Sequence, residues 1–243
     1  KNLFVVNSPL HLMSAFILAN SKFVNDDNYL ALVHPHGFAK WKESSVMSFM
    51  SSTDGGFEEV FSLVEKMNST QVKFIKEKMK PLNFDEAFTG SDVNVADQLL
   101  LSALDMKHFY RLDDGMWSYY NEDRKRPFHK AKFHELQIKL AAMTFGISSD
   151  FPINTVALGE NKAGVGDYLF MPELLKRKSP KVFDIDSDMI KTAMDKLANA
   201  GLLEQELFDY DYLVYLSQPI IPDAVEKKYL ANLMIDLAEN KKV

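Results

Sequence analysis

The sequence predicts an α/β protein built around a doubly wound parallel sheet. Short apolar segments of strand length alternate with segments of helical length through the first half of the chain, a pattern typical of parallel strands covered by helices. The opening strand leads through a polar turn into a helix, and residues 211–222 repeat that order. The strand predicted at residues 108–112 also has an acidic end, and sheets of this class bind ligands at the carboxyl ends of their strands.

The first βα unit is predicted from local signals alone. Residues 3–6 are a continuous apolar run, as expected for a strand buried on both faces. Ser8 followed by Pro9 matches an N-cap and a first helical position, and apolar residues continue the helix to Asn20. Four further strands are predicted at residues 29–33, 59–64, 85–89 and 108–112. Helices are predicted at residues 38–50, 70–79 and 92–104, with Asp92 as a candidate cap of the last. Five strands fit one Rossmann-like half.

The second half of the chain is less regular. A helix is predicted at residues 130–145, and residues 159–166 (GENKAGVG) suggest a flexible loop that matches no phosphate-binding fingerprint. Residues 168–175 are predicted as partly strand and residues 182–185 as strand. Ser187 is predicted to cap a helix that ends at Gly201. The strand at 211–216 and the helix at 222–239 predict the start of a second Rossmann-like domain. We therefore expect one domain at residues 1–185, and a linker helix with a truncated second domain at residues 186–243.

Composition excludes several classes of function. The chain has 243 residues, 47% of them hydrophobic, and a net charge of -6, which argues against general nucleic-acid binding. It has no cysteine, which excludes disulfides, thiol nucleophiles and thiolate metal sites. No apolar run reaches the roughly 18 residues of a membrane-spanning helix. The N-terminal run indicates a strand and not a signal peptide, so we expect a cytoplasmic protein.

Asp113, Asp114 and Gly115 are the leading candidates for catalysis. A plain strand-ending turn explains them equally well, because Asp and Gly favour turns. As a catalytic pair, adjacent carboxylates would raise one another's pKa, so that one could act as a general base. Gly115 would let the backbone approach a substrate closely. A third interpretation uses both carboxylates as magnesium ligands in a hydrolase or phosphotransferase.

Polar residues at two strand ends are candidate ligand contacts. Asn7, Ser8 and His11 follow the first strand, and helix capping is the simpler explanation for Ser8. In the second predicted domain the corresponding candidates are Ser217, Gln218 and Asp223. His34 and His36 lack a third metal ligand at recognisable spacing and indicate a loop. A basic cluster is either a solvated face or a contact for anionic acceptors or lipid headgroups; it comprises Arg124, Lys125, Arg126, Lys130 and Lys132.

Three motifs together resemble a known family. Residues 3–11 (LFVVNSPLH) resemble the opening strand and turn of the bacterial sialyltransferases of glycosyltransferase family 52. Residues 112–115 (LDDG) resemble an acidic-acidic-glycine motif of several bacterial sialyltransferase families, including the polysialyltransferases. Residues 216–219 (LSQP) resemble the segment that opens their C-terminal domain. The resemblance extends over most of the chain but depends on short motifs.

The resemblance implies a two-domain GT-B fold and an inverting sialyltransferase of bacterial surface polysaccharide synthesis, such as lipooligosaccharide or capsule. The donor would be CMP-sialic acid, the acceptor a glycan, and no cofactor or metal would be required. The general base would be Asp114 with Asp113 in support, and Trp117 and Tyr119 would stack on sugar rings. The family's acidic residue in the C-terminal domain falls nearest Asp223, where Ile220 and Ile221 shift the spacing. Its His-Pro donor motif has no match, so this stretch is expected to lack part of the donor site. Peripheral association with the inner face of the bacterial inner membrane and a homodimer are further expectations. Non-catalytic binding of a glycan or partner protein is the alternative.

Overall fold

Seven parallel strands form one sheet in this computed structural model, which describes residues 1–34, 45–64, 67–119, 128–147 and 150–202. The spatial order is β3-β2-β1-β4-β5-β6-β7. The strands are β1 (Asn2–Val6), β2 (Asn28–His34), β3 (Glu59–Val64), β4 (Glu86–Thr89), β5 (Phe109–Leu112), β6 (Gly164–Leu169) and β7 (Val182–Asp184). This order confirms the predicted α/β, Rossmann-like fold.

Helices connect the strands and cover both faces of the sheet. They are α1 (Pro9–Asn20), α2 (Ser45–Met50), α3 (Ser69–Phe74), α4 (Val95–Ala103), α5 (Met116–Tyr119), α6 (Phe128–Thr144) and α7 (Ser187–Asn199). α3 continues through a π-helical turn (Ile75–Met79) and a 3-10 turn (Lys80–Leu82). None of the described helices is both long and apolar enough to cross a membrane.

Side chains of β1 point alternately to the two faces of the sheet, so each face has its own part of the core. Leu3 and Val5 pack into a cluster with residues of α3, α4 and α6. Phe4 lies on the other face and starts a row of aromatic rings across the sheet. Phe4 stacks on Phe88 with ring centroids 4.6 Å apart, and Tyr168 stacks on Phe183 at 4.7 Å. Tyr110 lies between these pairs, 5.4 Å from Phe88.

Only the first part of the glycine-rich stretch at residues 159–166 is the loop that its composition predicted. Its last three residues begin β6, which pairs with both β5 and β7. A Cβ at Gly164 would lie 1.9 Å from Nη1 of Arg111, and one at Gly166 would lie 3.1 Å from ring atoms of Tyr110 and Phe183. The glycines therefore make room for large neighbours in a packed sheet.

Two helix caps also differ from the prediction. The side chain of Asn94, and not that of Asp92, caps α4 by accepting from the backbone of Ala96 at 2.8 Å. Asp186, one residue before the predicted Ser187, caps α7. Asp92 instead accepts hydrogen bonds from the backbone N–H groups of Gly159 and Asn161. These two hydrogen bonds hold the segment before β6 in place.

The chain divides by its internal contacts into a unit of Lys1–Leu202 and a unit of Leu203–Val243. In the first unit α7 packs on α1, where Lys196 donates to the side-chain oxygen of Asn20 at 2.5 Å. The strand predicted at residues 211–216 and the helix after it lie outside the described residues. The domain boundary at residue 185 therefore stays a prediction.

Candidate functional site

The candidate site lies at the carboxyl ends of β1, β4 and β5. The strand order reverses between β1 and β4, because the chain leaves β1 toward β2 and β3 and returns on the other side as β4. In sheets of this class that reversal opens a crevice for ligands. Asn7 and Ser8 follow β1, Gly90 follows β4, and Asp113 and Asp114 follow β5.

The first turn of α1 carries a buried histidine into this crevice. The Ser8 hydroxyl accepts from the backbone N–H of His11 at 3.2 Å, and Pro9 is the first helical residue, as predicted. The His11 ring is 1% exposed and lies directly over Gly90, where a Cβ would come within 2.1 Å of the ring. The ring position therefore requires glycine at the end of β4.

His11 and Asp114 form a hydrogen-bonded pair. Nε2 of His11 lies 2.7 Å from Oδ1 of Asp114, and the Asp114 side chain is 22% exposed. A carboxylate beside Nε2 favours the tautomer with its proton on that nitrogen, so the ring donates to Asp114. The other ring nitrogen, Nδ1, is buried and has no hydrogen-bond partner within the described residues. The backbone N–H of Asp114 donates to the Ser118 hydroxyl at 2.7 Å.

Asp113 is a structural carboxylate, although it is adjacent to Asp114. It is 1% exposed and accepts hydrogen bonds from the Tyr119 hydroxyl, from the backbone N–H of Phe170 at 3.0 Å and from that of Gly115 at 2.7 Å. Burial raises its pKa to about 6, against the three hydrogen bonds that lower it. The charge of Asp114 adds to this rise only as the last of these causes, so the expected mutual effect of the carboxylates is secondary to burial.

Tyr119 and Gly115 hold this turn in place. The Tyr119 hydroxyl also accepts from the backbone N–H of Met171 at 3.0 Å, and the residue is 4% exposed. Its ring is therefore enclosed, which corrects the expectation that it stacks on a sugar. Gly115 has φ +65°, a left-handed conformation that glycine adopts without strain.

Asp97 is a third carboxylate at the site, and the sequence did not single it out. It is fully buried on α4 and accepts from the Thr89 hydroxyl at 2.8 Å and from the Asn7 amide at 3.1 Å. Burial raises its pKa to about 7. The hydrogen bonds from Thr89 and Asn7 lower that pKa, and the charge of Asp114 raises it further. Through these two hydrogen bonds, Asp97 on α4 is linked to Asn7 after β1 and to Thr89 at the end of β4.

A buried ionic cluster fixes β5 relative to β6. Arg111 donates to both carboxylate oxygens of Asp167, at 2.6 and 3.0 Å, and Arg177 donates to the same carboxylate. Asp92 lies 3.7 Å from the Arg111 guanidinium. Burial alone would raise the pKa of Asp167, but the two guanidinium groups outweigh it and lower that pKa. This cluster holds the strand that ends in Asp113 and Asp114.

The structure brings together six of the residues predicted from sequence, and Tyr119 joins them through its hydrogen bond to Asp113. Asn7, Ser8, His11, Asp113, Asp114 and Gly115 meet at the carboxyl edge of the sheet. The side chain of Trp117 and all of Ser217, Gln218 and Asp223 lie outside the described residues, as do Pro35 and His36.

Asp97, Thr89 and Gly90 were missed. The polar run at residues 89–92 (TGSD), at the end of the strand predicted at residues 85–89, was a signal for Thr89 and Gly90 but not for Asp97.

The arrangement suits proton transfer. Asp114 is the one carboxylate of the three that is partly exposed, and a buried imidazole fixes its orientation. Asp113 has both oxygens occupied by donors, so it is poorly placed to bind a metal. No group of three or more His, Cys, Asp or Glu side chains that could hold a metal ion occurs in the described part of the chain.

Comparison with known proteins adds no assignment, since no protein-family model, curated protein or solved structure matches the chain.

Proposed function

We propose that this protein is an inverting glycosyltransferase in which Asp114 is the general base. The observation that carries the proposal is the His11–Asp114 pair at the topological switch point, with Nε2 and Oδ1 2.7 Å apart. A partly exposed carboxylate held in one orientation is what deprotonation of a bound hydroxyl requires. The donor we propose is CMP-sialic acid and the acceptor a glycan of the bacterial surface, following the resemblance of the three motifs to bacterial sialyltransferases.

In the proposed reaction, an acceptor hydroxyl binds beside Asp114. Its oxygen attacks the anomeric carbon of the donor sugar while its proton moves to the Asp114 carboxylate. The bond between that carbon and the phosphate oxygen of the donor breaks, and its electron pair leaves with CMP. Attack and departure occur on opposite sides of the carbon, so the configuration inverts. Asp114 then returns the proton to solvent.

Separate roles follow for the two adjacent carboxylates. Asp113 is a positioning residue, because its hydrogen bonds to Tyr119, Gly115 and Phe170 fix the turn that carries Asp114. His11 is a positioning residue for the Asp114 carboxylate itself. Trp117 is proposed as a sugar contact, and Ser217, Gln218 and Asp223 as contacts of the donor.

Two alternatives have different chemistry. A magnesium-dependent hydrolase or phosphotransferase would need Asp113 and Asp114 as ligands. The three hydrogen bonds already accepted by Asp113 weigh against that function. A non-catalytic domain that binds a glycan or a partner protein would need the crevice but not the base.

The test is transfer from CMP-sialic acid to a panel of surface glycans, with and without EDTA, for the wild type, Asp114→Asn and Asp188→Asn. We expect Asp114→Asn to reduce turnover by about 10²–10⁴-fold, the usual contribution of general-base catalysis. The exposed Asp188 on α7 is the matched control and should leave turnover unchanged. Near-normal transfer by Asp114→Asn would refute the assignment, loss of activity in EDTA would favour the metal enzyme, and glycan binding without transfer would favour the binding domain.

A further inference from the structure

An apolar stripe on α6 faces away from the core. Phe133, Leu136, Leu140 and Met143 recur at intervals of three and four residues, which places them on one side of the helix. Their side chains are 60, 53, 53 and 75% exposed. The opposite side of α6 is the one that packs on the domain, through the buried residues Ala131, Ile138 and Ala142. The exposed side is therefore a second apolar face, which the described residues leave uncovered.

The flanks of this stripe are basic although the chain is acidic. Lys132 and Lys139 border one edge of the stripe and Lys130 the other, as their helical positions require. α6 has three lysines and a single acidic residue, Glu135, in a chain of net charge -6. Glu135 is already paired with Lys132 at 2.8 Å and with Lys139 at 2.6 Å. The stripe thus offers positive charge beside exposed apolar side chains.

We propose that α6 is a surface that docks on an anionic lipid bilayer, lying in the plane of the interface. Apolar side chains enter the acyl boundary and the flanking lysines reach the headgroups, which is the pattern of interfacial helices. The stripe extends over about 15 Å of helix, at 1.5 Å per residue. A contact between the α6 helices of two copies is less favourable, because α6 has no free acidic side chain to pair with the lysines of its partner.

A cavity beside the stripe is large enough to hold an apolar group. It has a volume of about 210 Å³ and lies between α4, α6 and the segment before β6. Its lining includes Leu99, Ile138, Ala142, Met143, Phe151 and Ile153. Met143 belongs to both the stripe and the cavity. A cavity of about 150 Å³ accepts a benzene-sized group, so this one has room for the end of an acyl chain. The bilayer proposal is independent of the proposed catalytic function.

The test is co-sedimentation of the full chain with vesicles of phosphatidylcholine alone and of phosphatidylcholine with phosphatidylglycerol. We expect the wild type to bind the anionic vesicles more tightly. Leu136→Ser combined with Leu140→Ser should weaken that binding by roughly tenfold, because interfacial binding scales with buried apolar area. Lys130→Gln should weaken it by about fivefold on anionic vesicles only. Val24→Ser, at an apolar side chain that is 60% exposed outside α6, is the matched control and should change nothing.

Three results would overturn the proposal. The wild type could fail to prefer anionic vesicles, or the double serine variant could bind as well as the wild type. A wild-type dimer that becomes a monomer in the serine variant, measured by light scattering after gel filtration, would assign the stripe to a second copy. Circular dichroism and thermal unfolding establish that the variants are folded, which is expected because the exchanged side chains are exposed.

Discussion

The titration of Asp97 should make the free energy of unfolding depend on pH, and the substitution Asp97→Asn should remove that contribution. The carboxyl group is fully buried, and its pKa rises from 3.8 to about 7 on folding. Between these values the native state holds a proton that the unfolded chain has released. The stability associated with that proton is fully present below pH 3.8 and is lost as the pH rises through about 7.

The size of the effect follows from the two pKa values. The difference between 3.8 and about 7 corresponds to roughly 4 kcal/mol in the free energy of unfolding. About 2.5 kcal/mol of this is lost between pH 5 and pH 8. Asp97→Asn mimics the neutral acid and can still accept from the Thr89 hydroxyl. The variant should therefore lose about 2.5 kcal/mol less stability than the wild type over that interval.

The assay is urea unfolding followed by far-ultraviolet circular dichroism at pH 5 and pH 8. The quantity to compare is the change in unfolding free energy between the two pH values, so contributions from groups that do not interact with Asp97 cancel between the proteins. Asp188→Asn, an exposed aspartate on α7, controls for the removal of one charge. Parallel pH profiles for the wild type and Asp97→Asn, within about 1 kcal/mol, would refute the assigned protonation of Asp97.

Two further predictions concern the packing that supports the site. Asp167→Asn leaves the guanidinium groups of Arg111 and Arg177 buried without their carboxylate, so urea unfolding should show a loss of about 3–5 kcal/mol in the free energy of unfolding. The control Glu135→Gln removes a partly exposed carboxylate and should cost at most about 1 kcal/mol. Equal losses in the two variants would show that the Asp167 carboxylate is not needed by the two guanidinium groups. Gly90→Ala places a Cβ within 2.1 Å of the His11 ring, so it should displace the ring and shift the His11 resonances in NMR spectra. Unchanged resonances in a folded Gly90→Ala protein would show that the ring does not rest on the glycine.

Much of the fold could be predicted because its signals are local. The apolar run of β1 and the Ser8-Pro9 cap are contained within a few residues, and both occur as expected. The same holds for β5 and its acidic end. Glycine content was misleading at residues 164–166, because Gly164 and Gly166 allow close packing against Arg111 and the aromatic row within β6.

The site could be predicted only in part, because its contacts join distant parts of the chain. The hydrogen bond between His11 and Asp114 links residues 103 positions apart. Asp97 was missed because a carboxylate on an apolar helix becomes a site residue only when β4 lies beside β1. The sequence contains the strands but not their lateral order, so the neighbours of each strand end could not be assigned.

The β1–β4 pairing has a consequence for the order of folding. Asn2 pairs with Asn28 on one side and with Glu86 on the other, so the chain closes a loop of 26 residues for β2 but of 84 for β4. The longer closure costs about 1 kcal/mol more in chain entropy and is the longest among the described strand pairs. The two halves of the sheet can therefore nucleate separately and join late, through contacts such as the Phe4–Phe88 stack. His11 lies in the first half and Gly90, Asp97 and Asp114 in the second, so the His11–Asp114 pair can form only when the two halves join.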